Sequence, residues 1–294
     1  MANLKTSFIT TVFNEADSIK GYLESIISQS QKPDEIIIVD AGSTDRTQAI
    51  IKNIIKKTSI PVKLIIKKNI IRSAGRNLAI KTAKHSIIVV SDAGNILDKD
   101  WLKTITEPFT NPKVESVAGY YQVKTNTVFE KCVAPFVAIM PDKFNQKTFL
   151  PSSRSLAFKK TAWQKVGGYP EPLNTCEDLI FAANLKKNTN MAIKPSAIVF
   201  WRQASSFKDF FNMIKNHAKG DVQGKYKPHL QKIILVFIRY LIFAGLPFLF
   251  PFYLIWPIIK FYRYIRHPLA FIYLPLLQIL LDTAIILGSL YGIF

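Results

Sequence analysis

The chain has 294 residues, a formal net charge of +19 and two cysteines, Cys132 and Cys176. Such a length holds one large domain or two small ones, and so few cysteines exclude a disulfide-built scaffold and fit a reducing compartment. The basic residues are scattered without an arginine-rich arm, and the chain ends in apolar segments, so the charge favours an anionic lipid surface over a nucleic-acid groove. The opening Met-Ala-Asn-Leu-Lys lacks a basic region followed by an apolar one, and no signal peptide is expected.

Residues 6–12 read as a first strand. Residues 14–17 then open a helix with Ile19, Leu23, Ile26 and Ile27 on one face. Ile36, Ile37, Ile38 and Val39 form an unbroken apolar run, the pattern of a strand buried on both faces in a parallel sheet. The run stops at Asp40, followed by Ala41-Gly42-Ser43-Thr44, and Ser43 or Thr44 is expected to cap a helix reaching Lys57. Residues 62–66 give a third strand, 73–83 a helix and 87–91 a fourth strand. This alternation predicts a mostly parallel, Rossmann-like α/β sheet flanked by helices. Strands two and four end alike, in Asp40-Ala-Gly and Asp92-Ala-Gly. Two such strand ends can bring their carboxylates to one ligand crevice, where an acidic residue suits a ribose hydroxyl or a base N–H; the alternative for Asp40 alone is a residue that merely caps its turn. No G-x-G-x-x-G follows the first strand, which argues against a nicotinamide dinucleotide.

Beyond Trp101, residues 116–123 and 154–159 read as strands and 161–166 as a short helix before Gly167-Gly168-Tyr169-Pro170, whereas 125–145 is ambiguous. Glu177 and Asp178 fall in the first turn of an apolar-faced helix, where the helix dipole favours carboxylates. Residues 201–221 are amphipathic and basic, with Phe207, Phe210, Phe211 and Met213 beside Lys208, Lys215 and Lys219, and fit either a membrane surface or core packing. A change of composition near residue 230 divides the expected domain, 1–230, from a hydrophobic region, 231–294. Residues 233–259 are apolar except for Arg239, residues 260–267 are basic and aromatic, and 269–294 are apolar except for Asp282. Both apolar segments are long enough to span a bilayer. Gly245, Pro247 and Pro251 predict that the first one breaks into halves of about 13 residues, each too short to cross. A re-entrant hairpin keeps the basic segment on the entry side and leaves Arg239 shallow; one tilted, kinked span is the alternative.

These motifs together resemble the inverting glycosyltransferases of family 2, which have the GT-A fold. The resemblance lies in Thr11-Val-Phe-Asn-Glu15, Asp40-Ala-Gly-Ser-Thr-Asp-Arg-Thr47, Gly75-Arg-Asn77, Ser91-Asp-Ala-Gly94, Gly167-Gly-Tyr169 and Glu177-Asp178, across residues 6–185. It implies transfer of a sugar from a nucleotide-diphosphate donor such as a UDP-sugar to a lipid-linked or polysaccharide acceptor. It also implies a cell-membrane protein with its catalytic domain on the cytoplasmic side. Thr11, Phe13 and Glu15 would line the base pocket, Asp40 would hold base or ribose, and Arg76 would lie near the phosphates. Asp92 would meet the ribose and a divalent cation, Mg²⁺ or Mn²⁺. Gly94, followed by Asn95, stands where the family places a second carboxylate, which leaves a poorer metal site. Asp178 matches the catalytic base, with Glu177 orienting the site or capping its helix. No Q-x-x-R-W follows Asp178, which favours single addition over polymerisation. Two other functions are weighed: a nucleotide-sugar-binding membrane scaffold without turnover, and a basic nucleic-acid-binding protein, against which the hydrophobic end and the lack of nucleic-acid motifs argue.

Overall fold

A computed structural model describes residues 4–171 and 173–293 of the chain. They form two compact units, one of residues 1–122 and 145–201 and the other of 123–144 and 202–294. The division therefore differs from a single break near residue 230. Residues 123–144 and the amphipathic segment belong with the apolar helices, because their buried faces share one core.

The first unit begins with β1 (Thr6–Val12), α1 (Ile19–Ile27), β2 (Glu35–Asp40), α2 (Thr47–Ile55), β3 (Val62–Ile66), α3 (Arg72–Thr82) and β4 (Ile87–Val90). β5 (Asn95–Leu97), α4 (Trp101–Thr106), β6 (Ser116–Lys124), β7 (Leu156–Lys159), α6 (Lys160–Lys165), α7 (Glu177–Asn188) and β8 (Met191–Arg202) complete it. The intervening α5 (Val128–Val137), in the stretch the sequence leaves ambiguous, lies in the second unit. One eight-stranded sheet runs β3-β2-β1-β4-β7-β6-β8-β5. Its first four strands are parallel, as the alternation predicts, and β7 is antiparallel to both β4 and β6, so the whole sheet is mixed.

The strands β1, β2 and β4 alternate with a period of two. Phe8, Ile36, Ile38, Ile87 and Val89 pack on one face against α1, α2 and α4. Ile9, Ile37, Val39, Ile88 and Val90 pack on the other against α3, α6 and α7. Both faces are covered, which is why Ile36 to Val39 and Ile87 to Val90 contain no polar residue. β1 is the point where the order reverses, with β2 and β3 to one side and β4 to the other. Open α/β sheets bind ligands at the carboxyl ends of the strands beside such a switch point.

The second unit contains α5, α8 (Phe207–Gln223), α9 (Lys227–Gly245), α10 (Leu249–Ile265) and α11 (Ala270–Ile293). Its core joins Cys132 and Val133 of α5, Phe210 and Ile214 of α8, Phe261 and Ile265 of α10, and Leu274 and Leu277 of α11. The expected break in the first apolar segment falls between Gly245 and Leu249. The two helices have 19 and 17 residues, longer than the expected halves, because α9 starts before the apolar run and α10 continues through Lys260 and Arg263. Among the described residues, α9 and α11 are long and apolar enough to cross a membrane. Arg239 is not left to snorkel: it pairs with Asp282 of α11 at 3.0 Å. Tyr253 and Gln278 donate to the same carboxylate at 2.6 and 3.2 Å, so the charge that interrupts each apolar segment neutralises the other.

Candidate active site

The end of β1 is zipped to the loop that follows β2. Asn14, in the left-handed region at φ 53°, donates its amide to Ser43 Oγ at 2.9 Å and accepts from the Thr44 amide through Oδ1 at 2.9 Å. The Glu15 amide donates to Thr47 Oγ1 at 2.7 Å and the Ala16 amide to Asp45 Oδ2 at 3.1 Å. Ser43 and Thr44 are thus occupied with this crosslink and do not cap α2. The helix begins later, at Thr47, whose amide donates to Asp45 Oδ1 at 2.9 Å. Two of the sequence motifs are therefore one structural unit.

Asp40 is fully buried. Its Oδ1 accepts the amides of Gly42 and Ser43 at 2.9 and 2.7 Å, which shapes the turn, and its buried Oδ2 has no hydrogen-bond partner among the described residues. Such an oxygen is costly unless a ligand satisfies it. Gly42 takes φ +93° and lies so close to Lys68 that a Cβ would meet its backbone at 3.0 Å. Asp40 is level with Val12 across β1, and Val90 is level with Ile9 on the other side. Two further residues along, Asp92 reaches the level of Thr11. The half-buried Thr11 and the two carboxylates thus stand together at the end of β1, and Phe13 is exposed just beyond it. Glu15 is half-buried and takes a hydrogen bond from Ser18 Oγ. Burial pushes its carboxyl above the usual range, and Asp92 and Asp45 add to the effect against Ser18 and Arg72.

Arg76 organises the rest. It is buried in α3, donating through Nη2 to Asp92 Oδ1 at 2.5 Å and through Nη1 to Glu177 Oε1 at 2.6 Å. The Tyr169 ring lies 5.1 Å under the guanidinium, and that ring stacks on Phe181 with centroids 4.0 Å apart. Burial alone would raise the Asp92 carboxyl, but Arg76, with Arg154 and Arg72 beyond it, holds it below its usual value. For Glu177 burial wins over Arg76 and the carboxyl is pushed up, with nearby Asp178 adding to it. Glu177 Oε2 is buried without a hydrogen-bond partner among the described residues. The next residue, Asp178, is half-buried in the first turn of α7 and accepts from the Leu179 amide at 2.9 Å.

Asn77 and the double glycine fix this arrangement. Asn77 Oδ1 accepts from Trp163 Nε1 and the Tyr169 amide at 3.0 and 2.9 Å, and its Nδ2 donates to Tyr169 O at 2.8 Å. Gly168 has φ +75°, and a Cβ there would meet Asn77 Oδ1 at 3.0 Å and Trp163 Nε1 at 2.9 Å. Asn95 is buried, with Nδ2 donating to Ser91 Oγ at 3.2 Å and Oδ1 without a partner among the described residues.

Two basic residues escape a motif-based reading. Arg154 stacks over Trp201 at 4.0 Å and Tyr121 at 5.0 Å, and its charge reaches Asp92. Arg72, exposed at the start of α3, acts on Glu15, Asp92 and Glu177. No group of three or more metal-ligating side chains occurs among the described residues. Asp92 Oδ1 is committed to Arg76 and Gly94 offers no ligand, so the residues fit a cation held by one carboxylate oxygen and completed by phosphate and water, a habit of Mg²⁺.

Residues 7–161 match the sequence profile of Glycosyl transferase family 2. The O-antigen chain rhamnosyltransferase RfbN of Salmonella typhimurium is 24% identical over 195 residues, 62% of this chain and 61% of the relative. A poly-beta-1,6-N-acetyl-D-glucosamine synthase of Staphylococcus aureus is 27% identical over 122 residues, 41% of this chain and 29% of the relative. The chain thus spans less than two thirds of the length of either. The fold is shared with a mannosyltransferase from Pyrobaculum calidifontis solved with GDP-Man and Mn²⁺ (TM-score 0.57, 18% identity, 74% of this chain and 62% of that one). It is shared too with S. aureus TarS in complex with UDP-GlcNAc (TM-score 0.54, 20% identity, 73% of this chain and 65% of that one). The profile covers more than half of the chain and the sheet is of the GT-A type, so the chain belongs to glycosyl transferase family 2.

Proposed function

We propose that the chain is an inverting glycosyltransferase that moves one sugar from a nucleoside-diphosphate sugar to a lipid-linked or polysaccharide acceptor at the cytoplasmic face of a membrane. The observation that carries this reading is the Asp92–Arg76–Glu177 chain, buried at Arg76 and Glu177, which ties a carboxylate at the strand-end crevice to the first turn of the helix bearing Asp178. One guanidinium thereby sets the spacing between the donor side and the acceptor side of the reaction.

In this reading Thr11, Phe13, Glu15 and Asp40 hold the nucleoside, with the unpartnered Asp40 Oδ2 accepting from ribose or base. Asp178 takes the proton from the acceptor hydroxyl as its oxygen attacks the anomeric carbon. The bond to the nucleoside diphosphate breaks on the opposite face, and one displacement inverts the centre. Arg76 is a positioning residue, since it is buried and its Nη1 and Nη2 hold Glu177 and Asp92. Arg154 and Arg72 are the cations placed to donate to the leaving diphosphate. Asp92 Oδ2 would hold a divalent cation, which when bound offsets charge on that diphosphate.

A scaffold that binds donor without turnover is the second reading, favoured by Gly94 in place of a second carboxylate. Purified protein in detergent, incubated with UDP-, GDP- and dTDP-sugars, separates the two. Release of nucleoside diphosphate with transfer supports the enzyme, and a raised melting temperature without release supports the scaffold. Asp40→Ala and Asp92→Ala are each expected to weaken donor binding in calorimetry, and Asp92→Ala to alter the response to Mn²⁺. Unchanged affinity in both places the donor elsewhere.

A further inference from the structure

α11 is the longest apolar helix of the chain, and its composition alone makes it a membrane span. Its packing argues otherwise. Ala284, Gly288 and Gly292 recur every four residues and form a flat strip against α8. A Cβ at Gly288 would lie 2.2 Å from the carbonyl oxygen of Lys215, and one at Gly292 would lie 2.8 Å from that of Lys219. Near the other ends of the two helices the rings of Phe207 and Tyr273 meet at 5.9 Å. The helices therefore run side by side, in the same direction, for most of the length of α8.

α8 is no membrane span. Its 17 residues include Lys208, Asp209, Lys215, His217, Lys219 and Asp221, and its outer face is polar. A helix of 24 residues is roughly 36 Å long, and crossing about 30 Å of hydrocarbon would draw this polar neighbour into the bilayer with it. Ionised side chains at that depth are strongly disfavoured. Large exposed apolar side chains stand on Leu241 of α9, on Phe252, Trp256 and Ile259 of α10, and on Phe271 and Ile272 of α11, with Tyr291 and Ile293 exposed at the far end of α11. Exposed cations stand at the start of α9, at Lys225, Lys227 and Lys232, and at the end of α10, at Lys260, Arg263 and Arg266. Apolar faces flanked by Lys and Arg are the pattern of helices lying in a membrane interface.

We infer that the C-terminal unit is monotopic: it sits in one leaflet of a lipid bilayer, α11 does not cross, and the end of α11 stays on the side where α8 lies. This holds whatever sugar the first unit binds. The test uses full-length protein with Cys132 and Cys176 replaced by alanine, carrying one new cysteine at Gln223 or at Tyr291. A membrane-impermeant maleimide is applied to bacterial spheroplasts and to inverted membrane vesicles. Tyr291 is exposed and carries the Lys215 ammonium of α8 5.9 Å above its ring. Both cysteines are expected to label in inverted vesicles and neither in spheroplasts. If both label in spheroplasts alone, the monotopic arrangement stands and the cytoplasmic donor reading fails. Labelling of Tyr291→Cys on the side opposite Gln223→Cys overturns the inference. So does labelling of Tyr291→Cys only after detergent, or recovery of the chain in a detergent-free supernatant. Leu290→Cys repeats the measurement if Tyr291→Cys does not fold.

Discussion

Arg76 and Arg154 are the same residue type in opposite circumstances. Arg76 is buried with a carboxylate on each arm, so its charge is spent on the protein. Arg154 is half-buried, its plane laid on Trp201, and among the described residues it makes no ion pair. A stacked guanidinium keeps its in-plane donors for a planar or phosphate partner. Arg154→Ala is therefore expected to lower kcat/KM by roughly 10- to 100-fold, the loss of a charge-assisted hydrogen bond of ~1.5–3 kcal/mol. Arg154→Lys restores part of it, because the charge returns without the flat fork. Steady-state kinetics with donor varied at fixed acceptor checks this, and unchanged kinetics in Arg154→Ala removes the residue from the diphosphate site. Neither role is legible in the sequence. An arginine in an amphipathic helix is ordinarily solvated, and the partner that buries Arg76 lies 101 positions away.

At the level of elements, β2 and β4 are read correctly from sequence because unbroken aliphatic runs of strand length fit burial on both faces, and β1 and β3, which carry Thr10 and Lys63, follow from the alternation with helices. The strand ends are equally plain: an aliphatic run stops at Asp40, and another at Ser91-Asp92. Caps are less legible. Ser43 and Thr44 have the right chemistry for α2, but Asn14 claims them from another strand end. The Gly167-Gly168-Tyr169 turn reads from sequence as family likeness alone, and the structure supplies its reason. Gly168→Ala forces a side chain into a left-handed position against Asn77 and Trp163, which costs on the order of 1–3 kcal/mol. Donor affinity should fall with stability, since Tyr169 supports Arg76. Urea denaturation checks it, and a midpoint like that of the native protein would show that the turn yields.

On the scale of the whole molecule, two cores are built independently, one around the sheet and one around α5, α8, α10 and α11. Composition separates the apolar helices but cannot assign α5 or α8, whose buried faces are legible only beside their partners. The Arg239–Asp282 pair is hidden in the same way: the sequence reading leaves Arg239 shallow, and its partner stands on another helix. Asp282→Ala leaves Arg239 without its partner and is expected to cost up to ~3 kcal/mol, less than a fully buried pair because Arg239 is 30% exposed. The loss should appear as an earlier melting transition with donor affinity retained. Loss of donor binding at a temperature where the protein is folded would show that the two cores are not energetically separate.

The central claim is that Asp178 removes the acceptor proton in a nucleotide-sugar transfer. The direct measurement compares native protein with Asp178→Asn, following donor binding by calorimetry and transfer by product analysis with the same nucleotide sugar. The account predicts unchanged donor affinity and a loss of transfer of about 10²–10⁴-fold, the usual contribution of one positioned base. Near-native transfer by a folded Asp178→Asn protein would contradict it.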